Sequence, residues 1–322
     1  MVQFLIKRCF RALVIVLGVS IFIFMLANIA PTDPADLYRL SKRAPSMVAD
    51  IHQQSGADSS FLNRYAAWFA GFFEGEFGYS PAHNQPVSRI LAIFIPATVQ
   101  LALPVFFIQL FAGLAIGILR VALKNSRLKQ GLRILQLIFF AIPAFWLLIS
   151  AVVWVLPDFD LQITGNFTAP PPDIGFLHRT EYLLLPALAL SMPLIACTSL
   201  QVEKIYLHIM QQSFIHNAIT MGLSKKKIYG KYVLKDSLFP LGAMLSAHVP
   251  LLLVGTILVE TMFAWPGVGM MTFSAIPNKD YPVLLASILL MTLLIVIARL
   301  LVDICAAIFD PRIRLGHYAA SG

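Results

Sequence analysis

Six long apolar runs, separated by polar connections, divide this chain at residues 12–30, 96–119, 134–156, 182–200, 238–263 and 283–309. Each comes close to or exceeds the roughly 20 residues that a helix needs to cross a bilayer. The pattern therefore predicts an all-α, polytopic membrane protein with six transmembrane helices. Lys7, Arg8 and Arg11 precede the first run, which lacks a small-x-small cleavage pattern and passes directly into Pro31-Thr32-Asp33-Pro34. An uncleaved first helix is expected. In the hydrophilic stretch of residues 37–95, AAWFAGFF at residues 66–73 is too short to span and aromatic enough to lie at the membrane interface in short helices. Pro170-Pro171-Pro172 continues neither helix nor sheet and stiffens the connection after the third run.

Residues 213–240, SFIHNAITMGLSKKKIYGKYVLKDSLFP, form a polar segment of helical character between the fourth and fifth runs. Phe214, Ala218 and Met221 fall at helical spacing, Gly222 can end a helix in a left-handed conformation, and Ser224 is placed to cap the next one. Two short helices joined at Gly222 and Leu223 are expected. Lys225, Lys226 and Lys227 occupy the first turn of the second, where the macrodipole disfavours each positive charge by a few tenths of a kcal/mol or more. Two explanations stand: the general collection of lysines on the cytoplasmic side of a membrane, or docking onto an acidic partner surface.

Composition points to the same class, since 58% hydrophobic and 12% charged residues depart far from soluble averages of about half and about a quarter. With the N-terminus inside, the cytoplasmic connections hold about fifteen lysines and arginines and the outer ones about seven. Both termini are then cytoplasmic, and the net charge of +8 is a topology signal. No aromatic-interleaved basic patch supports a nucleic-acid partner. Asp33, Asp36, Asp50, Asp58, Glu74 and Glu76 give the long first outer connection mixed charge, which suits either simple solvation or docking of a soluble partner. Cys9, Cys197 and Cys305 are far apart and show neither disulfide nor metal-pair spacing; each is expected to be a buried apolar residue.

On the fifth run, Met244, His248, Leu251, Gly255, Val259 and Met262 recur at steps of three and four and share a face. Either this face lines a substrate path with soft and imidazole donors, or it packs around one satisfied histidine. Met244, His248 and Gly255, with Glu260, are the candidates for such a path. Arg299 and Asp303 stand one turn apart on the sixth run and are expected to pair, because either alone costs about 2.5–3.5 kcal/mol at the bilayer centre. There is no G-x-x-x-x-G-K-[ST], H-E-x-x-H or G-x-S-x-G motif and no metal site in the sequence. Any energy source lies on another chain.

Two stretches carry a family resemblance. The small residue Ala218 ahead of Gly222-Leu223-Ser224, with three residues between, followed by Tyr232, Leu234 and Pro240, resembles the EAA loop of binding-protein-dependent ABC importer permeases. His216 stands where that family often has an acidic residue or arginine, and Tyr232 where a histidine is frequent. From Val259 to Arg314 the chain is similar to the last third of dipeptide, oligopeptide and nickel permeases, through Glu260-Thr261, Trp265-Pro266-Gly267, Gly269, Asp280-Tyr281-Pro282, Asp303 and Asp310-Pro311-Arg312. Asp33-Pro34-Ala35, Phe77-Gly78, Ser80, Pro86-Val87, Pro96-Ala97-Thr98, Ile142-Pro143 and Phe145-Trp146 extend the resemblance over nearly the whole chain.

The resemblance implies a type I importer permease in a bacterial inner membrane, with His216, Ala218, Gly222, Leu223, Ser224, Lys225 and Tyr232 in the loop that enters the ATPase subunit. It implies as partners a second homologous permease, two ATP-binding subunits that hold ATP and Mg, and an outer solute-binding protein, with no cofactor on this chain. The organisation expected is a first helix and outer loop over residues 1–95, a five-helix core over 96–314 with the coupling loop at 201–238, and a tail at 315–322. Asp33-Pro34-Ala35 with Leu37-Tyr38, and Phe263 to Gly269, are similar to the nickel members more than to dipeptide ones, leaving nickel, a metal chelate or a di- or oligopeptide as substrate. An ion-coupled secondary transporter is the alternative class; it predicts two related halves and midplane charges, which the chain does not display. A membrane enzyme comes third, without a cluster of catalytic groups.

Overall fold

Long apolar sequences with few charges satisfy their backbone polar groups only by winding into helices when water is excluded, and helices dominate the computed structural model. It describes residues 2–29, 60–150, 153, 176–224 and 227–309. In chain order these comprise α1 (Val2–Ile29), α2 (Phe61–Glu74), a hairpin of β1 (Tyr79–Ser80) and β2 (Gln85–Pro86), α3 (Val87–Ala122), α4 (Ser126–Ala141), α5 (Ala144–Ser150), α6 (Phe176–Met210), α7 (Ser213–Thr220), a π-helical turn (Ile228–Val233), α8 (Leu234–Met262), α9 (Val268–Ala275) and α10 (Tyr281–Phe309). Asp33, Pro34, the Pro170-Pro171-Pro172 connection, Lys225, Lys226, Asp310 and Pro311 lie outside the described residues. The chain divides into two compact units, one of residues Val2–Val99 and Ala264–Val296, the other of Gln100–Phe263 and the residues from Ile297 onward.

In the first unit, α2 begins at Ser60, whose side chain accepts the Asn63 N–H, and ends at Gly75 in the left-handed region. AAWFAGFF is thus part of a longer, 14-residue helix. Its aromatic side meets Phe24 of α1, with ring centroids 5.5 Å from Phe61, 5.6 Å from Tyr65 and 5.3 Å from Trp68. The Tyr65 hydroxyl lies 2.8 Å from Ser20 Oγ. Ile23, Phe24, Leu285 and Leu289 form the core beneath. A second core joins Val87, Ile90 and Leu91 of α3 to Met271, Ala275, Val283 and Ala286.

The motif residues of this unit have structural work. Asp280 is fully buried; Oδ1 accepts the Val283 N–H at 3.4 Å and so caps α10, while Oδ2 accepts the Ser80 hydroxyl from the hairpin. Pro282 sits in the first turn of α10, where the missing N–H is no loss. Trp265 is buried and donates from Nε1 to the Ala97 carbonyl at 2.8 Å; the Val268 N–H donates to Thr98 Oγ1 at 2.8 Å. Gly267 is the N-cap of α9, with Pro266 half-buried before it and Tyr281 half-buried at the start of α10.

The second unit is a bundle in which α6 packs against α3, α4, α5 and α8. Gly113 and Gly117 let α3 approach closely: a Cβ on Gly113 would stand 2.5 Å from Thr198 Cγ2, and one on Gly117 2.6 Å from Val202 Cγ1. Contacts advance together along both helices, so α3 and α6 run parallel. With 36 and 35 residues at about 1.5 Å each, these helices exceed 50 Å, well beyond a hydrocarbon core of about 30 Å.

Several expectations are revised. Five helices among the described residues are long and apolar enough to span: Ile6–Ile29, Val87–Ala122, Leu183–Met210, Leu234–Met262 and Tyr281–Ile308. The third predicted span is broken at Ile142-Pro143 between α4 and α5, because proline donates no backbone hydrogen bond, and its last residues lie outside the described set. Residues 201–210 belong to α6, not to a loop; polar side chains change a helix's surroundings without ending it. Cys9 and Cys305 are exposed and Cys197 half-buried, so the expectation of three buried cysteines fails. A thiol is only weakly polar and is tolerated on an exposed helix face, so neither Cys9 nor Cys305 has to be buried.

Candidate functional site

The segment between α6 and α8 is built from its apolar residues outward. Ile215 and Ala218 are the buried positions of α7, and they join Val202, Tyr206, Ile209, Ile228, Val233, Leu241 and Met244 in one core. Leu223 and Tyr232 pack on its edge. The buried face is therefore Ile215 and Ala218 rather than the predicted Phe214, Ala218 and Met221; Met221 is 79% exposed, and Phe214 and Ile219 are also exposed. His216, Gly222 and Ser224 are exposed too. Gly222 has φ +74°, as its predicted role as helix terminator requires, and the Leu223 N–H returns to the Ala218 carbonyl at 3.2 Å.

Among the described residues beyond Gly222, helix resumes at Lys227 and continues into α8 instead of ending as a separate short helix. The Ser224 carbonyl accepts the Lys227 and Ile228 N–H groups at 2.9 and 3.0 Å, and the chain then runs through the π-helical turn straight into α8. Ser224 thus serves the helix start through its carbonyl, and Lys227 is the residue before the π turn. The fifth apolar run is the continuation of this segment, which joins α7 mechanically to a spanning helix.

Above this core lies a polar network that the sequence pattern did not reveal. Arg120 closes the last turn of α3 and is 1% exposed. Its Nη1 forms an ion pair with Glu203 Oε2 of α6 and donates to Gln136 Oε1 of α4 at 2.7 Å. Gln136 Nε2 donates to Ser199 Oγ at 2.6 Å, and Ser199 donates to the Ala196 carbonyl at 2.9 Å. Three helices are tied at one level. The only prior signal was that Arg120 directly follows an apolar run, and its partner lies on a distant part of the chain.

Midway along α8, His248 is 3% exposed. Nδ1 is 3.3 Å from Thr198 Oγ1, and Nε2 is 3.2 Å from Gln201 Nε2 and 3.7 Å from Cys197 Sγ. Met244 is buried in the core described above. Gly255 provides a notch for Leu190, whose Cδ1 would be 2.7 Å from an added Cβ, and Glu260 is fully buried near the end of α8. Leu251, assigned to the same face, is exposed. Arg299 does not make the expected pair with Asp303: its Nε donates to Ser246 Oγ at 3.3 Å, while Asp303 is buried. Among the described residues, no group of three or more His, Cys, Asp or Glu side chains is placed to hold a metal ion.

Five helices long and apolar enough to span, with a short amphipathic helix between the third and fourth of them, define a multi-pass membrane protein. Residues 109–315 match the family described as binding-protein-dependent transport system inner membrane component, and residues 1–102 match the N-terminal part of such membrane components. The chain belongs to this family. It is a multi-pass inner-membrane permease of an ABC importer and not an enzyme, which sets aside the secondary transporter.

Its relatives agree. The chain is 29% identical to the probable D,D-dipeptide transport system permease protein DdpB of Escherichia coli (strain K12), over 96% of this chain and 97% of that protein. It is 26% identical to the oligopeptide transport system permease protein AppB of Bacillus subtilis (strain 168), over 97% and 99%, and 27% identical to the dipeptide transport system permease protein DppB of Haemophilus influenzae (strain ATCC 51907 / DSM 11121 / KW20 / Rd), over 98% and 100%. The fold is similar to the MetNI methionine ABC transporter in inward-facing conformations, with a TM-score of 0.55 at 19% identity, over 69% of this chain and 96% of that one. The fold is that of a type I ABC importer permease.

Proposed function

We propose that this chain is one permease half of an importer for small peptides, working with a second homologous permease, two ATP-binding subunits and an outer solute-binding protein. The substrate class rests on the names of the relatives, which speak of dipeptides and oligopeptides. They lend no support to the nickel lean of the sequence motifs. In this reading the chain spans the membrane six times with both ends inside, α4 and α5 contributing to the third span. Residues 201–238 carry the coupling element within a 96–314 core, preceded by the 1–95 region and followed by a 315–322 tail.

The observation that carries the coupling role is the split character of α7. Ile215 and Ala218 fix it to the permease core, while Phe214, Ile219 and Met221 leave an apolar surface uncovered. An uncovered apolar surface beside His216, Gly222, Ser224 and Lys227, all exposed, suits a partner cleft. ATP binding on the partners would draw these elements together and open the path outward, and hydrolysis would reset it. Because the chain passes from α7 through the π turn into α8, a displacement of α7 reaches His248, Gly255 and Glu260 along one helix. Met244 and His248 are buried, so we assign them to the support of the path wall. Asp33, Pro34, Asp310 and Pro311 remain family motif positions without an assigned contact.

A cysteine at Met221 tests the coupling role. In the assembled importer it should cross-link to an ATP-binding subunit, with a yield that changes when ATP is trapped. Absence of any cross-link to an ATP-binding subunit in an active complex contradicts it.

A further inference from the structure

We propose that Gln201 offers its side-chain carbonyl to the N–H groups of a peptide passing through the permease; this rests on the peptide-importer reading above. Four side chains on two helices build the site. Gln201 Nε2 lies 3.2 Å from both Cys197 Sγ and His248 Nε2. An amide nitrogen only donates. His248 Nε2 must therefore accept, which places the imidazole proton on Nδ1, 3.3 Å from Thr198 Oγ1. Thr198 is itself fixed, because its methyl fills the space that Gly113 leaves open. Both amide hydrogens of Gln201 are consequently spent on the protein. Among the described residues, Oε1 has no partner, and Gln201 is only half-buried.

The surroundings say what Gln201 faces. His248 sits midway along the 29-residue α8, and Gln201 meets it there from α6. Cys197, Gln201, Lys204 and His208 follow one another at helical spacing on α6, and Lys204 and His208 are exposed. A stripe with a lysine and an open amide carbonyl does not face hydrocarbon; it faces a wet cavity or another protein wall. An acceptor followed one turn later by an ammonium matches a peptide, which carries N–H groups and a terminal carboxylate. The buried His248 holds the acceptor in place and is a positioning residue.

The test uses the complete importer in proteoliposomes, with trialanine and a backbone N-methylated trialanine to which the binding protein shows equal affinity. Wild-type protein should take up trialanine roughly threefold to tenfold faster than the N-methylated peptide. Gln201→Leu should lose that preference and fall to the slower rate. Gln201→Glu, which keeps acceptor oxygens, should retain the preference. If wild-type protein takes up both peptides equally, or Gln201→Leu keeps full rate and preference, the inference is overturned while the peptide-importer reading stands. If wild-type protein takes up neither peptide, the reading itself fails and the inference with it. Should Gln201→Leu not assemble, the wild-type comparison of the two peptides alone decides.

Discussion

Glu203→Gln should be among the most damaging single changes in the permease core. The Arg120 guanidinium is 1% exposed and shares Nη1 between Glu203 and Gln136, while its Nε is buried with no partner among the described residues. Glu203 is the carboxylate that neutralises it. At an effective dielectric constant near 20, opposite charges about 4 Å apart attract by about 4 kcal/mol, and removing one member of a buried pair costs about 3–5 kcal/mol. Glutamine keeps the size and a hydrogen-bonding oxygen but leaves the arginine charge uncompensated among three helices. At about 2–4 °C per kcal/mol, the unfolding midpoint of the detergent-purified protein should fall by on the order of 10 °C. Because the pair stands beside Val202 and Tyr206 of the core that holds α7, stimulation of ATP hydrolysis should weaken below that midpoint as well. Arg120→Met combined with Glu203→Met removes both charges and should recover most of the loss. Equal damage by the single and double changes, or no damage from Glu203→Gln, would refute the reasoning.

Other parts of the structure yield separate tests. Gly117→Leu should push α3 from α6, since even a Cβ would stand 2.6 Å from Val202, and cost about 1–3 kcal/mol in thermal unfolding; an unchanged midpoint contradicts that close approach. Ser80→Ala removes the hydroxyl that Asp280 accepts and should destabilise by about 1–3 kcal/mol, whereas Ser80→Thr should be milder; the same assay reads both. A cysteine placed at Ser60, in a background lacking Cys9, Cys197 and Cys305, should react with an impermeant thiol reagent added outside intact cells, while tags at either end should not be reachable. Labelling of Ser60 only after permeabilisation overturns the inside-first topology.

The sequence pattern was most informative where one cause acts alone. Hydrophobicity locates the spanning helices because exclusion of water forces helical backbone, and Gly222 announces a left-handed turn because a side chain there would be strained. It was less informative where two effects compete. Polar residues 201–210 look like a loop by hydropathy, yet α6 continues through them, because the environment changes at that level and the hydrogen-bonding pattern does not. For the same reason α8 extends back to the π turn, and the predicted second short helix dissolves into it. The buried face of α7 was misjudged because Met221 is apolar but turned to an uncovered surface. Arg120 with Glu203, and His248 with Gln201, join separate helices, and a single sequence carries no sign of which residues meet. Asp280 and Trp265 stood out as motif residues, but only the contacts with Ser80 and Ala97 explain why those side chains are needed.

Gly222→Val tests the central claim most directly. Positive φ costs a side chain with a Cβ on the order of 1–2 kcal/mol, too little to unfold the protein and enough to shift α7 against the π turn. Transport and ATP hydrolysis should be measured in the same vesicles, reconstituted with the second permease, the ATP-binding subunits and the peptide-loaded binding protein. If residues 213–224 couple the permease to its motor, the variant assembles normally, its hydrolysis no longer responds to loaded binding protein, and uptake falls with it. Wild-type uptake and wild-type stimulation in the Gly222→Val complex would contradict that role.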